Sequence, residues 1–172
     1  DEGAPVGGEA AGLLAAVGAA GQDDGAAPVG PHEEEVLPLV PADVPEEISD
    51  SYRLYLGLLH CEKPVVTGTF SAASLAVMRD LQLAVRGNAN ALAEKPFTVF
   101  SCCATSPLKW SELACQNVLD CARSAIPIEV ISMPLAGFTS PVTLVGTLIQ
   151  HAAEVLAGVV LGQLARPGSP VL

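Results

Sequence analysis

Aromatic side chains are scarce in this sequence: Phe, Tyr and Trp make up 4% of the residues, although 50% of all residues are hydrophobic. Ala, Val and Leu must therefore build the core, and 172 residues are enough for one domain. Basic segments are missing too. Residues 1–50 contain twelve acids and no Lys or Arg, whereas residues 51–172 contain seven acids and eight bases. The lack of a basic patch that could neutralise phosphates argues against nucleic-acid binding.

Motifs for metal and nucleotide sites are also absent. Neither C-x-x-C nor H-x-x-x-H occurs, so no closed zinc pattern is present and we expect no metal site. The five cysteines are predicted to be reduced, apolar packing thiols. No G-x-G-x-x-G follows a predicted strand and no P-loop occurs, which argues against dinucleotide or nucleoside triphosphate chemistry.

No targeting signal is visible, and we expect a cytoplasmic protein without a membrane partner. The apolar stretch Ala10–Ala20 follows acids, whereas a secretory signal needs bases there. The longest apolar segment, Val142–Ala165, is interrupted by polar residues at four positions. This pattern predicts a buried helix instead of a membrane span.

Two regions differ in composition. Residues 1–41 are rich in Gly, Ala, Pro and acid, and we interpret them as a flexible leader. Residues 42–172 show regular periodicity and form the predicted folded domain. Because the chain begins at Asp1 and ends at Leu172 within an apolar run, we interpret it as an internal piece of a longer protein.

Within the domain, predicted helices and strands alternate. A helix over Glu46–His60 precedes strands that begin near Pro64, Pro96, Pro127 and Pro170. Further helices are predicted over Ala72–Leu92, with a possible break at Gly87, over Ser111–Ala125, and from a Ser140-Pro141 cap to about Ala165.

Apolar strands joined by long helical connections predict a parallel sheet, either doubly wound or part of a (β/α)₈ barrel. A typical barrel needs about 250 residues, so this chain would supply roughly half of one. The predicted fold class is therefore α/β, a partial (β/α)₈ TIM barrel with about four parallel strands and intervening helices.

In both architectures, chemistry gathers where the strands end. Four of the seven aromatic residues lie at these ends: Phe70, Phe100, Trp110 and Phe138. Aromatic faces attract quaternary ammonium ions through the ring quadrupole, by about 0.5–2 kcal/mol each. These rings either form such a cation site or plug the end of the barrel, and the sequence leaves both interpretations open.

The segment PLAGFTSP leads towards a helix N-terminus, where free N–H groups favour an anion. Gly137 permits close approach of a ligand, and an ordinary capped loop is the alternative. On the last helix, His151 and Glu154 are predicted to face solvent or to pair locally. Glu129 is the one acid inside a predicted strand and is expected to have a structural partner.

Several long segments resemble the trimethylamine–corrinoid methyltransferase family. The most distinctive are SPLKWSE, ISMPLAGFTSPVTLVGTLIQH and QLARPGSPV, within a match over about Ala42 to Leu172. The resemblance implies a barrel that transfers a methyl group from trimethylamine, or from a quaternary amine such as glycine betaine, to the Co(I) of a separate corrinoid protein. It also implies that this chain binds no corrinoid directly and that the full-length protein forms a homo-oligomer.

For this chemistry we hypothesise that the four aromatic residues enclose the cation and that the N–H groups after Gly137, including that of Thr139, hold a carboxylate. Lys109 is expected either to hold the same carboxylate or to contact the partner protein. The catalytic residues are not identified by the sequence. Two alternatives remain: a non-catalytic α/β binding or interaction module, and a barrel enzyme of other chemistry, such as a lyase or an aldolase.

Overall fold

The structure, a computed structural model, describes residues 44–172. The predicted flexible leader, residues 1–41, and its boundary with the folded domain lie outside the described residues. The described part contains three strands and five helices. The strands are β1 (Val65–Thr67), β2 (Thr98–Cys103) and β3 (Ile128–Ile131). The helices are α1 (Glu46–His60), α2 (Ala72–Arg86), α3 (Ala89–Glu94), α4 (Glu112–Ser124) and α5 (Leu144–Ala165).

The sheet is parallel throughout, in the order β1-β2-β3. Val66 is in register with Val99, and Ser101 with Glu129. The predicted fourth strand is represented by a parallel bridge between Val171 and Ile128, in which the Leu172 N–H donates to the Ile128 carbonyl at 2.8 Å. Parallel strands with helical connections confirm the α/β class and are compatible with a partial (β/α)₈ barrel.

One face of the sheet packs against the helices and forms the core. Phe100, Cys102, Ile128 and Val130 point to this face and pack with apolar residues of α1, α2 and α4. Because side chains alternate along a strand, Ser101 and Glu129 point to the opposite face. We call that opposite face the inner face.

The helix breaks follow local sequence. Gly87 adopts a φ of 85° and ends α2, which confirms the predicted break, because a left-handed backbone favours glycine. The Ser111 hydroxyl caps α4 by accepting from the Ala114 N–H at 3.1 Å. The predicted Ser140-Pro141 cap of α5 is wrong: α5 begins at Leu144, and Thr143 caps it by accepting from the Gly146 N–H at 3.2 Å.

Helix α5 is also less buried than its sequence predicts. Only Glu154, Gly158 and Gly162 of its 22 residues are buried. Its exposed large apolar residues are Leu144, Val145, Leu148, Ile149, Leu156, Val160 and Leu164. By length and mean hydropathy it is the one helix within residues 44–172 that could cross a membrane, a test that core helices also pass. The polar interruptions predicted a buried helix, but within the described residues α5 has neighbours on one side alone.

Candidate functional site

Three loops leave the carboxyl ends of the parallel strands at a common edge of the sheet. We call them the exit loops: residues 68–71 after β1, residues 104–111 after β2, and residues 132–143 after β3. Enzymes with parallel sheets place their reacting groups at this edge. The exit loops and the adjoining inner face are therefore the candidate site.

The first exit loop is fixed by two buried residues of α1. Asp50 Oδ2 accepts from the Thr69 hydroxyl at 2.7 Å and from the Phe70 N–H at 2.9 Å. Arg53 Nη2 donates to the Gly68 carbonyl at 2.6 Å and pairs with Asp50 Oδ1 at 3.3 Å. Burial lowers the pKa of Arg53 below its usual range, although the Asp50 charge opposes this shift. The loop backbone is thus held in place while the Phe70 ring stays 74% exposed.

The second and third exit loops share one anchor, Glu154 of α5. Its carboxylate, 1% exposed, accepts from the Ser106 hydroxyl at 2.8 Å, the Leu108 N–H at 2.8 Å and Gln150 Nε2 at 3.0 Å, and also from the Ser132 hydroxyl. Burial alone would raise the pKa of Glu154, but these hydrogen bonds outweigh it and lower the pKa to about 2. Glu154 therefore does not face solvent, and although Gln150 is a local partner, its other partners are distant in sequence, which the prediction missed. His151 is exposed, as predicted.

The second exit loop closes on itself before it reaches α4. Thr105 and Lys109 exchange two backbone hydrogen bonds, of 2.8 and 3.0 Å, around a cis Ser106-Pro107 peptide. Leu108 has a φ of 51°, which its N–H bond to Glu154 helps to hold. The turn presents Lys109 as an exposed side chain, and no ion pair involves it within residues 44–172. Lys109 is therefore accessible to a ligand, and its role as a carboxylate contact stays a prediction.

Two of the four predicted cation-binding aromatics do not face the site. Phe100 is completely buried in the core, because it points to the helix side of β2. The Trp110 ring packs beside Val130 and Gly158, between β3 and α5, and its buried Nε1 has no hydrogen-bond partner among the described residues. The structure contradicts the predicted cage at both positions. Phe70 and Phe138 are exposed, and the one ring pair in contact within residues 44–172 is Tyr52 with Tyr55.

The predicted carboxylate cradle after Gly137 is wrong as well. The N–H groups of Phe138, Thr139 and Ser140 all donate to the Leu135 carbonyl, at 3.0, 2.9 and 3.1 Å. The Gly137 N–H donates to the Ser140 carbonyl at 3.0 Å, with a φ of 79° that suits glycine. These donors close a turn and are not free for an anion.

The exposed ring of Phe138 and the Thr139 hydroxyl remain at the surface of this turn. The Thr139 hydroxyl oxygen accepts from the Leu135 N–H at 2.8 Å, and its carbonyl accepts from Gln150 Nε2 at 2.7 Å. Gln150 thereby joins the turn to Glu154, to which its side chain also donates. The third exit loop is therefore held at two points by α5: Ser132 near its start bonds to Glu154, and Thr139 near its tip bonds to Gln150.

The inner face carries a small polar group beneath the exit loops. The Ser101 hydroxyl donates to Glu129 Oε2 on the neighbouring strand, so the partner predicted for Glu129 exists. Cys103 lies two residues further along β2 on the same face. Burial raises the pKa of the Cys103 thiol, and the nearby Glu129 charge adds to this effect. The thiol is thus kept protonated and is a weak nucleophile at neutral pH.

The cysteines and histidines form no ligand set in the described residues. All five thiols are free, and burial raises the pKa of Cys102 to about 12. Within residues 44–172 no group of three or more His, Cys, Asp or Glu side chains could hold a metal ion. His60 and His151 lie exposed on helices α1 and α5.

Comparison with known proteins connects this geometry to one family. Residues 32–172 match the trimethylamine methyltransferase (MTTB) family. A trimethylamine methyltransferase of Desulfitobacterium hafniense is 34% identical over 137 residues, covering 78% of this chain and 27% of that protein. Its counterpart in Methanosarcina thermophila is 48% identical over 85 residues, covering 49% of this chain and 18% of that protein.

A proline betaine:corrinoid methyltransferase of Eubacterium limosum is 35% identical over 79 residues, covering 46% of this chain and 16% of that protein. This chain therefore spans about a quarter or less of the length of these curated relatives. The family match extends over the whole described fold, including every exit loop. The chain belongs to the trimethylamine methyltransferase family.

Proposed function

We propose that these residues are part of a corrinoid-dependent methyltransferase that removes a methyl group from a methylated amine. The substrate would be trimethylamine or a quaternary amine such as glycine betaine, and the acceptor the Co(I) of a separate corrinoid protein. The observation that carries this proposal is the family match over residues 32–172, on a parallel sheet with three anchored exit loops. The names of the relatives, which specify trimethylamine or proline betaine, support the substrate class.

The protein's contribution is to bind and orient the amine. The N–C bond breaks with its electron pair left on nitrogen, and the methyl carbon is accepted by Co(I). The positive nitrogen must be held with one methyl group directed outward, in a site that excludes water. Two anchored exit loops supply exposed rings for this purpose, Phe70 and Phe138, which attract a quaternary ammonium through their faces.

Lys109 is the candidate for a second recognition element. A betaine carries a carboxylate as well as a quaternary nitrogen, and an exposed ammonium beside the strand ends suits that carboxylate. The Thr139 hydroxyl lies on the neighbouring exit loop and could donate to the same group. Lys109 would thus favour zwitterionic substrates over simple amines.

The corrinoid would arrive on a partner protein that docks over the exit loops. The sequence contexts of the three histidines, PHEEEV, LHCEKP and QHAAEV, contain no D-x-H-x-x-G ligand motif. We further propose a cytoplasmic protein that forms a homo-oligomer at full length and binds neither membranes nor nucleic acids. An oligomer interface or another part of the protein would cover the apolar face of α5.

The test is a methyl-transfer assay with the protein expressed from its complete reading frame. The protein is mixed with a corrinoid protein reduced to Co(I), and with trimethylamine, glycine betaine or proline betaine in turn. Loss of one methyl group from one of these amines, followed by mass spectrometry, is the expected result. Failure with all three, while the corrinoid protein accepts methyl groups from its own methyltransferase, would favour the non-catalytic interaction module.

A further inference from the structure

Glu129 occupies an unusual position for an acid. It is the one acidic residue on the three strands, and it points to the inner face, away from the helices. The side chain is half-buried. A half-buried carboxylate loses part of its hydration. A hydrogen-bond or ionic partner is needed to compensate for that loss.

The described residues supply only part of that compensation. Ser101 donates to Oε2, but Oε1 accepts no hydrogen bond within residues 44–172. The ion pairs found in this part of the chain join Arg53 to Asp50, Arg79 to Asp80 and Arg123 to Asp120. Glu129 takes part in none of them. One oxygen of a half-buried carboxylate therefore remains available on the inner face.

The other buried carboxylates near the strand ends are already occupied. Asp50 uses Oδ2 to fix the first exit loop and Oδ1 to pair with Arg53, and Glu154 uses both oxygens to fix the second and third exit loops. These two acids hold the loops and have no free acceptor for a ligand. Glu129 differs from them because its one hydrogen bond, from Ser101 to Oε2, orients the carboxylate and leaves Oε1 available.

We propose that Glu129, oriented by Ser101, is the anionic contact for the positively charged nitrogen of the methylated amine. This inference rests on the proposed function and deepens it. The substrate nitrogen then lies over the inner face, beneath the exit loops, with Cys103 roughly 7 Å further along the strand towards the exit. Phe70 and Phe138 attract the same cation from the exit loops, and Lys109 is left for the carboxylate of a betaine.

The inference also accounts for the aromatic residues that do not face the site. With Phe100 buried and Trp110 packed on α5, residues 44–172 alone supply too few rings for a complete cage. A single oriented carboxylate provides the attraction instead, and it acts most strongly in a site from which water is excluded. The charge selects cations, whereas uncharged molecules of the same shape are bound poorly.

The test measures binding and turnover separately, in the protein from its complete reading frame. Glu129→Gln removes the charge and keeps the shape, and Glu129→Asp keeps the charge on a shorter side chain. Asp120→Asn is the matched control, because it removes one negative charge on the outer side of α4. Calorimetry with tetramethylammonium chloride needs no corrinoid, and the methyl-transfer assay gives KM and kcat.

The expected result is a weakening of tetramethylammonium binding in Glu129→Gln by about 10- to 100-fold, with a similar rise in KM and a much smaller change in kcat. Glu129→Asp should recover part of the loss, and Asp120→Asn should behave as the wild type. The wild type should also bind glycine betaine more tightly than 3,3-dimethylbutanoate, in which carbon replaces the charged nitrogen. That preference should shrink in Glu129→Gln.

Unchanged binding and KM in Glu129→Gln, in a protein that does transfer methyl groups, would overturn the inference and leave the proposed function intact. A wild type that transfers no methyl group would refute the proposed function instead. If Glu129→Gln fails to fold, Ser101→Ala becomes the test variant, because it keeps the Glu129 charge and removes only the hydrogen bond that orients the carboxylate. A KM for Ser101→Ala equal to that of the wild type would then count against the inference.

Discussion

The indole ring of Trp110 rests directly on the backbone of Gly158. A Cβ atom at residue 158 would lie 2.6 Å from Trp110 Cη2 and 2.8 Å from a methyl carbon of Val130. Both distances are shorter than side chains tolerate, so the close contact between the second exit loop and α5 requires a glycine at this position.

Gly158→Ala is therefore expected to destabilise the protein by about 1–3 kcal/mol, because a rigid ring and a strand residue must both move. The control is Gly162→Ala in the same helix, where an added Cβ would meet its nearest neighbours at 3.6–3.7 Å. That substitution should be neutral, or stabilising by up to about 1 kcal/mol through helix propensity. Urea unfolding followed by circular dichroism measures both. Equal stabilities for the two variants would contradict the packing of Trp110 described above.

Replacement of Glu154 by Gln should lower the free energy of unfolding by on the order of 3 kcal/mol at neutral pH. In the wild type, four donors share the two carboxylate oxygens of Glu154. A glutamine amide has only one acceptor oxygen, and its NH₂ group would face donors with which it cannot form hydrogen bonds. The pKa of Glu154 is lowered from 4.5 to about 2 in the folded protein, so its contribution is complete above pH 4.5 and is lost as the pH falls towards 2. The wild type and Glu154→Gln should accordingly converge in stability at acidic pH.

Unfolding curves at neutral pH and at several values between pH 4.5 and 2 test this convergence. Glu94→Gln, at an exposed position at the end of α3, is the matched control and should follow the wild type at every pH. A stability difference between wild type and Glu154→Gln that does not vary with pH would contradict the assigned ionisation.

Phe138→Ala is expected to raise the KM for a quaternary amine by about 2- to 5-fold, because one exposed ring contributes about 0.5–1 kcal/mol to cation binding. The free energy of unfolding should hardly change, since the ring is 84% exposed. Phe138→Leu keeps an apolar side chain without a ring quadrupole and should behave like Phe138→Ala. Full affinity in the leucine variant would show that the ring serves as a hydrophobic contact alone.

The exposed apolar residues of α5 should cause the 172-residue chain, expressed alone, to self-associate. Ile149 and Leu156 are 66% and 60% exposed and lie on one side of the helix. A double variant, Ile149→Glu with Leu156→Lys, should shift the sedimentation coefficient towards that of a monomer, because desolvation of the charges opposes contact. Val77→Glu, at an exposed apolar position on α2, should leave association unchanged. A wild-type chain that sediments as a monomer at high concentration would refute this prediction.

The sequence predicted most of the secondary structure because proline, glycine and capping residues mark its boundaries. Helix α1 has the predicted limits, and Gly87 interrupts the second helical segment as expected. The cap of α5 was misplaced because Ser140 and Thr143 are both suitable cap residues, and only the turn after Leu135 decides between them.

The candidate site was harder to predict because its contacts connect distant parts of the chain. The hydroxyl groups of Ser106 and Ser132 lie 48 and 22 residues from Glu154. A lone acid in a mostly apolar helix was the available signal, and it did not identify these partners. Phe100 was assigned to the wrong side because a strand that is apolar on both faces does not show which face meets the helices.

The shared carboxylate of Glu154 also makes the second and third exit loops one mechanical unit. Ser106 and Leu108 on one loop and Ser132 on the other donate to the same carboxylate, so the opening of either loop removes donors from a buried group that also holds the other loop. A partner that pulls on the turn containing Lys109 would loosen the segment leading to Phe138 at the same time. The positions of Lys109 and Phe138 are thereby coupled through a single side chain.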